Sequence, residues 1–118
     1  MSVTEITFLT KDEILELHIK IIEVFGGSHG IRDEGALESA IFAAENRFHY
    51  EKADLFICAA TYAYHLSQAH AFIDGNKRIA DVAATLFLKL NGAEIAASTQ
   101  ELIDLFLKIA AGEMARRS

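Results

Sequence analysis

The sequence contains no proline, one cysteine and no long uncharged hydrophobic stretch. The absence of proline and the abundance of alanine both favour helix. Because Cys58 is the only cysteine, the chain cannot form an internal disulfide, which is consistent with a protein from a reducing compartment. The apolar neighbours of Cys58 predict a packed side chain rather than a nucleophile. No apolar run reaches the roughly 18 residues of a membrane span. The first residues, MSVTEITFLT, do not resemble a secretory signal, so we expect a cytoplasmic protein with no membrane association.

Positive charge is also scarce, with 11 lysines and arginines against 17 acidic residues and a formal net charge of −6. Such a chain is a poor non-specific ligand for nucleic acid, so we expect no direct nucleic-acid binding, although a local basic site could still hold phosphate. The 118 residues are 52% hydrophobic and 24% charged, which predicts one globular domain over residues 1–118.

Helix signals account for most of the chain. A β-leaning segment, Glu5–Leu9, precedes Thr10, which stands three residues before Glu13 at capping-box spacing and predicts a helix from about Lys11. Gly26 and Gly27 end that helix, and Asp33 is a suitable N-cap for the next one. The apolar positions predicted to face the core are Ile14, Leu17, Ile21, Val24 and Phe25 in the first helix and Leu37, Ala40, Ile41 and Ala44 in the second.

The segment Lys52–Ala69 is apolar on nearly all sides, which is typical of a central helix surrounded by others. A further helix, ending at Asn91-Gly92, carries an inward stripe of Ile79, Val82, Ala83, Leu86, Phe87 and Leu90. A last helix is predicted from Ser98, paired with Glu101, to Gly112, with Leu102, Leu105, Phe106 and Ile109 facing inward. The sequence therefore predicts an all-α bundle of about six helices around the central one.

A compact polar stretch, HAFIDGNKR (residues 70–78), lies between the two most apolar helices. The second helix begins near Asn76, where unpaired N–H groups carry partial positive charge. Gly75 lets the backbone approach a ligand, while Lys77 and Arg78 stand at the helix end that disfavours cations. A bound phosphate would offset that cost, since amides, an ammonium and a guanidinium all suit it.

The same stretch holds the other parts of a phosphoryl-transfer site. His70 can accept a proton near neutral pH, Asp74 can offer oxygen to Mg²⁺, and Asn76 can contact phosphate or cap the helix. Phe72 is expected to anchor the loop in the core. Each part also has a purely structural interpretation: His70 as an ordinary histidine near a turn, Asp74-Gly75-Asn76 as a loop, and Lys77-Arg78 as a solvated helix face. The chain lacks a Walker loop, and His65 and His70 lack the further close ligands of a zinc site.

HAFIDGNKR resembles the signature of the Fic/Doc family, H-x-F-x-[DE]-G-N-[GK]-R, and Lys77 stands where the Doc branch has lysine. The stretches GGSHGIRDEGALESAI and ATYAYHLSQAHAFIDGNKRIADVAATLFLKLNG are also similar to Doc proteins, so the resemblance covers about residues 9–112. It implies an all-helical Fic/Doc domain. By residue, it implies His70 as catalytic base, Asp74 as the Mg²⁺ ligand and Phe72 as a structural residue. Gly75, Asn76, Lys77 and Arg78 would bind nucleotide phosphates.

Two positions depart from the Fic pattern. Asp81 stands where many Fic signatures have a second arginine, and Ala71 replaces a common proline. The carboxylate of Asp81 disfavours the placement of the nucleotide phosphates that AMP transfer requires, and so favours a kinase. The Gly26–Gly30 loop, with Arg32 and Asp33, either borders the ligand groove or only links two helices.

The resemblance further implies a toxin that moves the terminal phosphate of ATP to a hydroxyl of elongation factor Tu. Its implied partner is a Phd-type antitoxin whose C-terminal helix lies in a groove of the toxin. Two alternatives stay open: AMP transfer to a protein hydroxyl, and a non-catalytic protein that binds its antitoxin and regulates the operon.

Overall fold

The computed structural model describes residues 6–51 and 54–93, together with positions 100, 101, 104 and 107. These ranges contain α1 (Lys11–Phe25), α2 (Glu34–Glu51), α3 (Leu55–Gln68) and α4 (Asn76–Leu90). The all-α prediction is confirmed, with four helices in the described ranges rather than about six. The four separate positions beyond α4 are helical. The predicted helix start at Ser98 and the inward positions Leu102, Leu105, Phe106 and Ile109 lie outside the described residues, as does Gly112.

Each of the first three helices begins at a side-chain cap. The Thr10 hydroxyl accepts the Glu13 amide, and the Glu13 carboxylate accepts the Thr10 amide, which completes the predicted capping box. The Asp33 carboxylate accepts the amide of Ala36 at 3.0 Å, and Asp54 caps α3 in the same way through the amide of Ile57. These local bonds satisfy amides that would otherwise lack partners, and they explain why the starts of α1 and α2 could be read from sequence; the cap at Asp54 was not predicted.

Helix α3 is the central helix that the apolar segment predicts, and it packs against both α2 and α4. Its buried residues are Cys58, Ala59, Ala60, Thr61, Tyr62, Ala63, Leu66 and Ser67. Burial raises the pKa of the Cys58 thiol to about 11, so this side chain is a packed thiol, as predicted. Among the described residues, no helix combines the length and the apolar character that crossing a membrane requires.

Helix α1 packs on α4, and here the predicted inner face is partly wrong. Val24 and Phe25 are 74% and 58% exposed, whereas Ile22 and His18 are buried. The apolar period is correct, but the last turn of α1 extends beyond the core and lies over the surface of α4. Leu90 is likewise exposed, because it is the last residue of its helix. The inner positions predicted for α2 are all buried.

The segment before α1 does not form a strand over its described residues, in contrast to its β-leaning composition. It is held across the helices instead. The Leu9 amide donates to the Tyr62 hydroxyl at 3.0 Å, and the Asn91 side chain exchanges two hydrogen bonds with the Thr7 backbone. Asn91 also ends α4, at the place where the Asn-Gly pair predicts a stop.

Candidate functional site

His70 follows Ala69, the C-cap of α3, and leaves the helical backbone conformation. Its φ of 49° lies in the left-handed region, which a non-glycine residue adopts at a cost of about 1–2 kcal/mol. The next two residues, Ala71 and Phe72, are 1% and 2% exposed, while His70 itself is exposed. The imidazole is therefore turned away from the hydrophobic interior, as a proton acceptor for an external substrate must be.

Asn76 holds the loop that follows His70 in a closed turn. Its side-chain oxygen accepts the Phe72 amide at 3.0 Å, and its side-chain nitrogen donates to the Phe72 carbonyl at 2.9 Å. Both hydrogen-bonding groups of the amide are thus used inside the loop. In this structure Asn76 acts as a brace between the first turn of α4 and the buried Phe72.

The loop between α1 and α2 runs beside the 70–78 stretch. Ile31 and Phe72 form an antiparallel bridge, the Ile73 amide donates to the Gly30 carbonyl at 3.1 Å, and the Arg32 and Asp33 amides both donate to the Ala71 carbonyl. The glycine-containing loop is therefore more than a connection between helices. It is hydrogen-bonded to the backbone of residues 71–73, and its place beside a ligand groove stays a prediction.

Asp74 is bound to the same loop through its side chain. Its Oδ2 accepts the Ser28 amide at 2.7 Å, while the residue remains exposed. Gly27 has a φ of 114°, and a Cβ there would lie 3.1 Å from the Cβ of Asp74. A larger residue at position 27 would therefore displace the carboxylate that the sequence assigns to Mg²⁺.

His18, which the sequence reading did not include, lies beneath this loop. Its ring is 3% exposed and stacks on the Phe72 ring with centroids 3.7 Å apart and planes 10° apart. Its Nε2 lies 2.7 Å from the Asp74 carbonyl oxygen. The sequence offered only a weak signal for this role, namely that His18 stands four residues after Ile14 on the apolar face of α1.

The start of α4 has the features of an anion site. Gly75 is the N-cap with φ 82° and ψ 16°, and no side chain caps the helix. The first turn contains no acidic residue, and Lys77 and Arg78 are both exposed. The guanidinium of Arg78 lies 3.9 Å from the centroid of the Phe25 ring. This cation–π contact explains the exposed position of Phe25 and directs the arginine along the surface.

A cleft of about 690 Å³ opens beside this helix start. Its described lining residues are Tyr64, Ser67, Gln68, Lys77, Arg78, Asp81, Gln100 and Leu107. The structure thus brings the two predicted phosphate-binding cations into one cleft together with Asp81. Phe72, Asp74 and Asn76 belong to the adjoining braced loop, whereas His70 is exposed at the other end of that loop.

A second groove, of about 550 Å³, lies between α1 and the Gly26–Gly30 loop. Its lining is largely apolar, and Ile19 on its edge is 47% exposed. The described lining residues are Leu15, His18, Ile19, Glu23, His29, Gly30, Ile31 and Phe72. Phe72 and His18 therefore connect this groove to the loop that carries Asp74.

Comparison with known proteins places these features in a family. The sequence model of the Fic/DOC family matches residues 8–88. The chain is 38% identical over 107 residues to the protein kinase doc of Escherichia phage P1, which covers 90% of this chain and 84% of the relative. It is 39% identical over 75 residues to the toxin Doc of Mycolicibacterium smegmatis, covering 62% of this chain and 58% of that protein.

Proposed function

Because the chain belongs to the Fic/Doc family, on its Doc branch, we propose that it is the toxin of a toxin–antitoxin pair and acts as a protein kinase. The reaction would transfer the terminal phosphate of ATP to a hydroxyl of a protein target, elongation factor Tu, in the cytoplasm. The observation that carries this proposal is the start of α4, where uncapped amides adjoin Lys77 and Arg78 at the edge of the cleft.

The residues have distinct tasks in this reaction. The target hydroxyl oxygen forms a bond to the terminal phosphorus, the bond from that phosphorus to its bridging oxygen breaks, and ADP leaves. His70 accepts the hydroxyl proton. The α4 amides from Gly75 onward, with Lys77 and Arg78, hold the phosphate oxygens and stabilise their charge. Asn76 keeps the loop closed through its two hydrogen bonds to Phe72, and it would offer the second N–H of its side-chain amide to a phosphate oxygen.

Asp74 suits a magnesium ion bound together with the nucleotide. It is an exposed carboxylate with one oxygen held by the Ser28 amide. The ion would take this one carboxylate and complete its shell with phosphate oxygens and water. When bound, Mg²⁺ would neutralise charge on the phosphates.

Asp81 favours the kinase over AMP transfer. Its carboxylate lies in the same cleft as the two cations and adds negative charge where a second arginine would otherwise bind phosphate. Incubation with Mg²⁺, elongation factor Tu and ATP labelled at the terminal phosphate should label the factor, and His70→Ala should abolish the labelling. Label arriving only from the α-phosphate would support the adenylyltransferase instead.

The non-catalytic alternative has its own test. Expression of the chain without an antitoxin should arrest growth, and expression of His70→Ala should not. Unimpaired growth with the wild-type chain would support a regulator that only binds its antitoxin.

For the partner, we propose a Phd-type antitoxin whose C-terminal helix occupies the 550 Å³ groove beside α1. The apolar lining and the exposed Ile19 support this location, since an amphipathic helix buries its apolar face in such a groove. Ile19→Arg should weaken binding of the antitoxin helix at least about tenfold in calorimetry. Lys89→Ala, an exposed change on α4, is the control. Equal affinity of the Ile19 variant and the control would place the helix elsewhere.

A further inference from the structure

A histidine from α1 is inserted beneath the 70–78 loop although the reaction proposed above does not use it. His18 is 3% exposed, and its ring lies parallel to the equally buried ring of Phe72 at 3.7 Å between centroids. A buried polar side chain is retained at little cost only when its hydrogen bonds are made. One nitrogen of His18 satisfies that condition, since Nε2 lies 2.7 Å from the Asp74 carbonyl oxygen.

The chemistry of that contact determines which nitrogen carries the proton. A carbonyl oxygen only accepts, so Nε2 of His18 must be the N–H donor. The hydrogen bond therefore positions the backbone of Asp74, while the Ser28 amide positions its carboxylate at 2.7 Å from the other side. Asp74 is held between α1 and the loop that follows α1.

The same ring also lies close to the next residue, Gly75. A Cβ at Gly75 would lie 3.4 Å from His18 Nε2 and 3.4 Å from the Ile22 side chain. Gly75 occupies the left-handed region with φ 82° and is the N-cap of α4. The imidazole thus lies directly under the turn that begins the phosphate-binding helix.

From this geometry we infer that His18 is a positioning residue for the phosphate site. Stacking on Phe72 and donating to the Asp74 carbonyl, it fixes the Asp74 carboxylate and the Gly75 turn relative to each other. The inference rests on the proposed function, because the positioned groups are those that would hold Mg²⁺ and the phosphates. Residues that orient a metal-binding side chain in this way typically change activity by about 10- to 100-fold when they are replaced.

Two substitutions distinguish the contribution of ring stacking from that of the hydrogen bond. His18→Phe keeps an aromatic ring to stack on Phe72 and removes the N–H donor, whereas His18→Gln keeps a donor of similar reach and removes the ring. Ile14→Val removes one methyl group from a fully buried position on the same helix and serves as the control for a general loss of stability.

The first measurement is phosphate transfer. We expect His18→Phe to lower kcat/KM by about 10- to 100-fold, with partial recovery in His18→Gln and no loss in Ile14→Val. The second is hydrogen exchange of the Ser28 amide, which reports on Asp74 because it donates to Oδ2. Its exchange should accelerate about tenfold or more in His18→Phe, relative to the slowest amides of the same variant.

A third measurement needs only the wild-type chain. Nitrogen-15 spectra of the imidazole at about pH 8, where an ordinary histidine is neutral, should show the proton on Nε2 of His18. A proton on Nδ1 would exclude the hydrogen bond and overturn the inference even if His18→Phe does not fold. Wild-type kcat/KM and unchanged Ser28 exchange in a folded His18→Phe variant would overturn it as well.

The proposed function and this inference fail separately. If the wild-type chain transfers no phosphate, the kinase proposal fails. The imidazole spectrum and the Ser28 exchange then still decide whether His18 holds Asp74 in place.

Discussion

Arg78 shows how one side chain can be exposed and still have a defined position. It belongs to the first turn of α4, where the helix dipole disfavours a cation. Its guanidinium lies over the Phe25 ring, so an aromatic side chain from α1 supports it while its charge lines the cleft. Such an arrangement favours the binding of an anion, because the arginine loses little freedom when the phosphate arrives.

Replacing Arg78 should affect function far more than folding. We predict that Arg78→Ala lowers phosphate transfer at least about 100-fold, as the loss of a preorganised contact to developing charge typically does. The free energy of unfolding should fall by no more than about 1 kcal/mol, the value of an exposed cation–π contact. Steady-state labelling and urea unfolding measure the two effects, with Arg78→Lys as the variant that keeps the charge. A stability loss of several kcal/mol would make Arg78 a structural residue.

Replacing Asn76, in contrast to Arg78, should affect folding as well as function. Removing its side chain leaves the amide of Phe72, a residue that is 2% exposed, without its acceptor. We predict that Asn76→Ala lowers the free energy of unfolding by about 1–3 kcal/mol, the cost of an unpaired buried group, and lowers transfer as well. Asn46→Ala, at an exposed position in α2, is the matched control and should change stability by less than about 0.5 kcal/mol. Equal stability of the two variants would show that the Asn76 side chain does not stabilise the loop through Phe72.

At the scale of elements, the local signals were reliable and the longer-range ones were not. Thr10 and Asp33 cap helices as predicted. Their caps could be predicted because each hydrogen bond joins residues only three positions apart. Periodicity also located the inner face of α2. It misplaced Phe25, since a helical pattern does not say where the neighbouring helix ends. The pairing of Gly30–Asp33 with Ala71–Ile73 had no sequence signal of its own, because it joins segments about 40 residues apart.

Helix α3 carries a titratable group that couples packing to pH. Burial, with a smaller effect from Arg47, lowers the pKa of His65 below its ordinary value of 6.5. The folded state therefore binds fewer protons than the unfolded state, and the contribution of His65 to stability is complete above about pH 6.5. It decreases as the pH falls below that value towards the lower folded-state pKa.

We predict that His65→Gln removes part of the acid destabilisation of the wild-type chain. The effect should be a fraction of the roughly 1.4 kcal/mol per pH unit that one fully buried site would give, because His65 is half-buried and solvent screens it. Urea unfolding between about pH 7.5 and 5.5 measures it, and His29→Gln, in an exposed loop, is the control. If the free energy of unfolding depends on pH in the same way in the wild type and in His65→Gln, His65 does not contribute to the acid destabilisation.

Over the whole molecule, the segment before α1 holds distant elements together. Phe8 lies between Phe48 of α2 and Phe87 of α4, with ring centroids 5.7 and 5.8 Å away. The Leu9 amide donates to the hydroxyl of Tyr62 on the central helix. Burial raises the pKa of that phenol, so the hydroxyl stays protonated across the physiological range. The fold thus depends on contacts between the segment before α1 and the helices α2, α3 and α4.

Tyr62→Phe tests this dependence. Loss of the hydroxyl leaves the Leu9 amide unpaired in a site where both residues are buried, so we predict a loss of about 1–3 kcal/mol in the free energy of unfolding. Tyr50→Phe, at a side chain that is 87% exposed, should change it by less than about 0.5 kcal/mol. Urea unfolding with an unchanged m-value gives both numbers. If Tyr62→Phe unfolds like the wild type, the hydrogen bond from Leu9 to Tyr62 does not contribute to holding the segment.

The sequence by itself determined the helical class, the starts of α1 and α2, the apolar character of α3 and the signature between α3 and α4. All of these are encoded within a few neighbouring residues. Only the tertiary structure decided how the signature is held, because His18 meets Asp74 across 56 positions and Ser28 meets it across 46. Pairs so far apart depend on how α1 packs against α4, and hydrophobic periodicity specifies which face is buried but not which loop that face will touch.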